Sequence, residues 1–332
     1  MPSTTTVTTP RPATPRRSGV WLHRYAVLVA VCTALLVFAG GLVTSTGAGL
    51  SVPDWPLSYG MVFPPMVGNV RFEHGHRMLA ATVGMLTVAL ALWLQRRETR
   101  PRLRRLGWLA VGAVVAQGLL GGLTVLLMLP PLVSVAHACL GQTFFCIVVA
   151  IALQTSAGWR QAPAPSIEPA GIVSLRGLAV LSTAAVFLQL VLGALMRHTG
   201  AGLAIPDFPL AFGRLVPAFS TPGIAIHFAH RVGGVIVAAC VAATAVVAMR
   251  RHREQRPLLV PAVLGLFLVA AQIGLGGFTV LSAKAVVPTT LHVLNGALIL
   301  ANSLVLTLRS FQLLQAAPAR RNAVLGAPAV IP

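Results

Sequence analysis

Eight apolar runs, each long enough to cross a bilayer, constrain this 332-residue chain more than any other feature. A helix needs about 20 mostly apolar residues to cross the hydrocarbon core. The runs fall at roughly 25–43, 78–94, 106–129, 132–153, 178–196, 232–249, 258–281 and 286–308. They are continuous rather than alternating, which disfavours a closed barrel. Charge agrees with this reading, because charged residues make up only 9% of the chain, whereas a soluble domain carries about 25%. With 56% hydrophobic residues, disorder is excluded as well. The expected fold is an all-α integral membrane protein with eight transmembrane helices.

The formal charge of +19 does not point to nucleic acid, which needs a basic face on a folded soluble domain. The basic residues sit instead at the ends of the apolar runs. With the N-terminus inside, 19 of the 25 lie in inner segments, among them the cluster from Arg96 to Arg105. Positive residues stay cytoplasmic, so a multi-pass protein of a bacterial plasma membrane with both termini cytoplasmic is expected. A single Lys against 24 Arg fits a GC-rich bacterial source. The chain divides into a disordered cytoplasmic tail (1–24), a four-helix half (25–155), a cytoplasmic linker (156–177), a second four-helix half (178–310) and a tail (311–332). Cys32, Cys139, Cys146 and Cys240 all lie within apolar runs, where they read as small core residues.

The halves are copies of one another. TGAGLSVPDWPLSYG at 46–60 returns as TGAGLAIPDFPLAFG at 199–213, an offset of about 154 residues. His76-Arg77 aligns with His230-Arg231, AQGLLGGLTVL at 116–126 with AQIGLGGFTVL at 271–281, and His137 with His292. An even number of helices per half gives both the same orientation. Two parallel-repeat four-helix bundles, related by a pseudo-twofold along the membrane normal, are therefore expected.

All four repeated histidines fall toward the outer side of the membrane. Ionisable groups at such depth are costly and usually face the bundle interior. Haem iron takes two axial imidazoles, and the space between helices is a natural haem slot. Zinc or copper alone would call for three or four protein ligands in one cluster. For a lone histidine, interhelical hydrogen bonding is the plain alternative. Arg77 and Arg231 can hold propionates by charge-assisted hydrogen bonds or snorkel to headgroups. Gln117 and Gln272 read as polar ties between close helices. The halves differ at Glu73, three residues before His76, whose counterpart is His227. A carboxylate one turn from a ligand can transfer protons; the alternative is an outer acid pairing with Arg71 or Arg77. The Pro-Asp-aromatic-Pro segments (Pro53–Pro56 and Pro206–Pro209) read as lids, with Asp54 and Asp207 capping turns.

Glu-x-x-His-Arg after a Gly-Leu-x-x-Pro-Asp-Trp-Pro loop, with one further histidine per half, resembles the haem A synthase family over residues 25–310. The resemblance implies oxidation of a porphyrin methyl group of haem O to a formyl group by successive hydroxylations, serving terminal oxidases. It implies haem b on His230 and His292 in the second half. It places the substrate haem between His76 and His137 in the first, with Glu73 as an essential carboxylate. Implied partners are haem O, a membrane electron donor, haem O synthase and oxidase assembly factors. Many bacterial members carry a cysteine pair in the first outer loop; none occurs here between Leu50 and Phe72. The other readings are a dihaem b-type cytochrome drawing electrons from quinol, which a carboxylate in one half only argues against, and a parallel-repeat transporter. The expected topology has a direct check: alkaline phosphatase fused after Val216 should be active and fused after Glu254 silent, and the reverse pattern would invert it.

Overall fold

The computed structural model describes residues 17–168 and 173–315. Eight long helices carry the chain: α1 (Arg17–Ser45), α2 (Val70–Arg97), α3 (Pro101–Leu126), α4 (Pro131–Thr155), α6 (Leu175–His198), α7 (Pro222–Arg251), α8 (Arg256–Leu281) and α9 (Val286–Leu313). A one-turn helix, α5 (Ala157–Arg160), follows α4. The shortest long helix has 24 residues, about 36 Å at 1.5 Å per residue, which exceeds the hydrocarbon thickness. All eight are apolar enough to span, and the chain is a multi-pass membrane protein. Proline opens α3, α4 and α7 within the first turn, where its missing N–H has no partner to lose. Two two-residue strands, β1 (Ser166–Ile167) and β2 (Leu314–Gln315), pair in parallel and tie the connecting segment to the end of α9.

The helices begin earlier than the apolar runs suggest. Arg17–Arg24, expected within a disordered tail, are the first two turns of α1. Leu22 is buried, and the His23 ring meets the Ala152 carbonyl at 3.0 Å, so packing on α4 holds these turns despite their polarity. Residues 1–16 of the expected tail and most of the C-terminal tail lie outside the described residues. Leu175–Gly177 and Phe311–Leu313, expected in linker and tail, are helical. His76 and His230 do not open their helices but lie about two turns in. Polar residues such as Arg71 and Glu73 had hidden the start of α2.

In each half the helices pack in a closed ring: α1 on α2, α2 on α3, α3 on α4 and α4 on α1, with α6 to α9 in the same order. The halves meet where α1 and α4 touch α9 and α4 touches α6. Large buried side chains concentrate away from the Pro-Asp-aromatic-Pro segments: Leu90, Leu94, Leu103, Phe144 and Ile151 in one half, Leu175, Leu258 and Leu306 in the other. The helix ends beside those segments are lined with glycine. Backbone turns repeat too: Tyr59 and Phe212 adopt φ of 53° and 55°, and Leu129 and Lys284 adopt 61° and 66°.

Each lid is seated by its aromatic residue. A Cβ on Gly122 of α3 would stand 2.5 Å from the Trp55 ring, and one on Gly277 of α8 would stand 2.8 Å from Phe208. Glycine here lets the lid lie flat on the helix. Gly122→Ala is expected to cost about 1–3 kcal/mol through overpacking, seen as a lower unfolding temperature in detergent. Adding Trp55→Ala should recover most of that loss.

Candidate functional site

The lid end of each half holds one pair of histidines, and each imidazole packs against a repeated glycine. A Cβ on Gly40 would lie 3.2 Å from His76, one on Gly121 3.0 Å from His137, one on Gly193 2.9 Å from His230 and one on Gly276 3.1 Å from His292. Glycine at these four places lets a helix backbone approach the ring face. In the second half the His230 and His292 ring centres are 6.4 Å apart with planes at 64°. One metal atom about 2 Å from a nitrogen of each ring fits such a separation. His76 and His137 lie within electrostatic range of one another.

Helix-borne amides hold these rings. Gln117 Nε2 donates to the His137 carbonyl (2.9 Å) and lies 3.3 Å from its Nε2. Gln272 donates to the His292 carbonyl (3.0 Å) and accepts from Asn295 (2.7 Å). Gln189 donates to the His230 carbonyl (2.7 Å) and meets its Nδ1 at 3.0 Å. His137 Nδ1 and His292 Nδ1 are buried with no hydrogen-bond partner among the described residues, an unusual state for a ring nitrogen. No group of three or more His, Cys, Asp or Glu side chains converges among the described residues, so the donor set suits axial imidazole ligation rather than a protein-only zinc site.

The lids are clamped in the same way in both halves. Arg77 donates to the carbonyls of Asp54 (2.7 Å), Leu57 (2.8 Å) and Val52 (3.2 Å). Arg231 donates to the matching carbonyls of Asp207 (2.6 Å), Leu210 (2.7 Å) and Ile205 (3.2 Å). Both guanidiniums therefore have their Nη atoms committed to the loops. Glu73 is buried; it accepts from the Val52 N–H (2.9 Å) and pairs with Arg77 (2.6 Å). His227 Nδ1 accepts from the matching Ile205 N–H (3.2 Å). The residue that breaks the repeat thus keeps a shared job, and only the first half adds an ion pair to it. A second polar latch, His74 Nδ1 to Ser58 Oγ at 2.8 Å, also belongs to the first half alone; the matching residues are Phe228 and Ala211.

A scan against protein families matches the COX15-CtaA model, cytochrome oxidase assembly protein, over residues 23–70 and 68–304. The chain belongs to the COX15-CtaA family. It is 31% identical to the haem A synthase of Shouchella clausii over 88% of this chain and 96% of that protein. To the haem A synthase of Symbiobacterium thermophilum it is 33% identical over 78% and 85% of the two chains. Among COX15-CtaA residues here, Gln189 escaped the sequence reading because its counterpart is Leu36. The ring-facing glycines do repeat, at offsets of 153 and 155, and that repetition was a usable signal.

Asp54 and Asp207 cap the lid turns. Asp54 accepts from the Tyr59 and Gly60 N–H groups (2.7 and 2.8 Å), and Asp207 from those of Phe212 and Gly213 (2.8 and 2.9 Å). These backbone donors hold both carboxyls below the usual carboxylate range. A lowered folded-state value means the stabilisation is present above the ordinary carboxylate pKa and is lost as pH falls through the lowered one. Amide exchange at Gly60 and Gly213, corrected for its intrinsic pH dependence, should therefore accelerate below that value. Asp54→Asn should abolish the pH response in the first lid only.

Proposed function

We propose that this chain is a haem A synthase, acting on haem O from a bacterial plasma membrane with both termini cytoplasmic. The supporting observation is a facing histidine pair in the second half whose members repeat in the first, in a family where relatives about 30% identical over most of both chains carry that name. In this reading His76 and His137 hold the substrate porphyrin, and His230 and His292 hold haem b. When bound, the porphyrin iron supplies the oxidising chemistry and haem b a route for electrons from a membrane donor.

The chain's own residues bind, orient and exclude water. The glycines of α1, α3, α6 and α8 let each imidazole sit close to a neighbouring helix backbone, and the lids would cover a porphyrin held between the rings. Gln117, Gln189 and Gln272 fix the orientation of the ligand helices. Arg77 and Arg231 act on the sites by holding the lids. Glu73 is the acid–base group of the first site: its oxygens, held by the Val52 N–H and Arg77, stand one turn from His76, where they would take up or deliver protons during the oxidation. His227 repeats only the hydrogen bond to its lid and brings no carboxylate to the second half, which suits a resident cofactor.

Co-expression with a haem O synthase in a host lacking haem A, followed by mass analysis of extracted haems, tests this. Haem A should appear with the intact chain. His76→Ala or His137→Ala should abolish product while bound haem b persists, Glu73→Gln should cut product at least about a hundredfold, and His230→Ala should lose haem b. Haem O as the sole product, with haem b retained, would instead support the dihaem cytochrome.

A further inference from the structure

Arg197, on the last turn of α6, stands at the seam between the halves. Its Nη2 donates to the Gly41 carbonyl (3.0 Å) and Ser45 Oγ (2.9 Å) of α1. Ser45 in turn accepts from Thr290 Oγ1 (3.1 Å), two residues before His292 on α9. Arg197 lies one turn along α6 from Gly193, whose face meets the His230 ring, and within electrostatic range of His292. It is therefore hydrogen-bonded to α1 directly and to α9, the helix of His292, through Ser45.

Its charge has no carboxylate partner among the described residues. Among the described residues the carboxylate–arginine pairs are Glu73–Arg77 and Glu98–Arg100. Asp54 and Asp207 are committed to lid amides, and Glu168 takes the Leu175 N–H. A partly buried guanidinium at a helix end, with donors left over and no carboxylate beside it, can take an anion by charge-assisted hydrogen bonds. Its Nε and Nη1 donors, which take no protein acceptor among the described residues, form a fork matched to a carboxylate. At the matching place one turn beyond Gly40, the first half carries Thr44.

We infer that Arg197 is the carboxylate anchor of the second porphyrin site, and that Thr44 leaves the first site free to exchange its ligand. The inference rests on the bis-imidazole reading of the sites. It assigns the two halves unequal retention: a porphyrin whose propionate meets Arg197 stays, and one beside Thr44 leaves after reaction.

The test compares release of bound haem b and of its propionate dimethyl ester from the purified full-length chain to excess apomyoglobin, followed optically. The wild type should release the ester about tenfold faster or more, since charge-assisted bonds are lost. Arg197→Gln should release haem b as fast as the ester, whereas Arg197→Lys should keep part of the discrimination. If Arg197→Gln only loosens the helix seam, both ligands leave faster by the same factor and discrimination persists, which overturns the inference. Equal release of both ligands from the wild type overturns it too, without need of a variant. Thr44→Arg should slow release from the first site, and unchanged release there would refute the role given to Thr44. Failure of the underlying site reading looks different: His230→Ala and His292→Ala would leave the bound-haem spectrum unaltered.

Discussion

A polar group between membrane helices must find its partner inside the protein, because lipid offers none. Almost every feature of the outer half of this molecule follows from that. Four imidazoles stand among apolar helices, glycines open room at each ring face, and glutamine amides take up neighbouring carbonyls. Away from the lids the same rule is met by fewer ties, such as Ser182 Oγ with Thr244 Oγ1 at 2.8 Å and Asn302 to the Pro261 carbonyl at 2.8 Å, and the packing is mostly Leu, Phe, Ile and Ala. The lids obey the same rule, since an arginine from the helix below satisfies three loop carbonyls in each half.

Duplication built this scaffold once and used it twice. Lid and clamp recur with matching distances and backbone angles, and the glycine seats and ligand histidines recur at matching positions. Several of the differences between the halves fall on polar groups around the sites: Glu73 against His227, Ser58 and His74 against Ala211 and Phe228, Leu36 against Gln189, and Thr44 against Arg197. In the first half the changes add charge and polarity under the lid. In the second they add polar support to a ligand histidine and a cation at the seam. One site is thereby equipped for acid–base work and the other for holding on.

Much of this was legible in the residues. Eight apolar runs announced the spans, and the repeated motifs announced the ligand pairs and the lids, because hydrophobic length and repetition are local properties of a chain. Helix starts were misjudged wherever polar residues extend a helix past the bilayer core, as at Arg17–Arg24 and Val70–Gly75. Hydropathy reports the solvent around a helix, and the backbone stays hydrogen-bonded beyond it. Gln189 was missed because its importance depends on a neighbour 41 residues away.

By itself, then, the sequence determined the class of protein, the number of spans and the residues paired by duplication. Tertiary structure alone decided what those residues touch. Glu73 proved to be a lid latch as well as a neighbour of His76, and Arg77 and Arg231 proved to be clamps. Arg197, which in the sequence was one more outer charge, became a cation at the seam between two sites. The reason is physical: burial and hydrogen bonding are set by helices that meet far apart in the chain, and no local pattern encodes which carbonyl a guanidinium will reach.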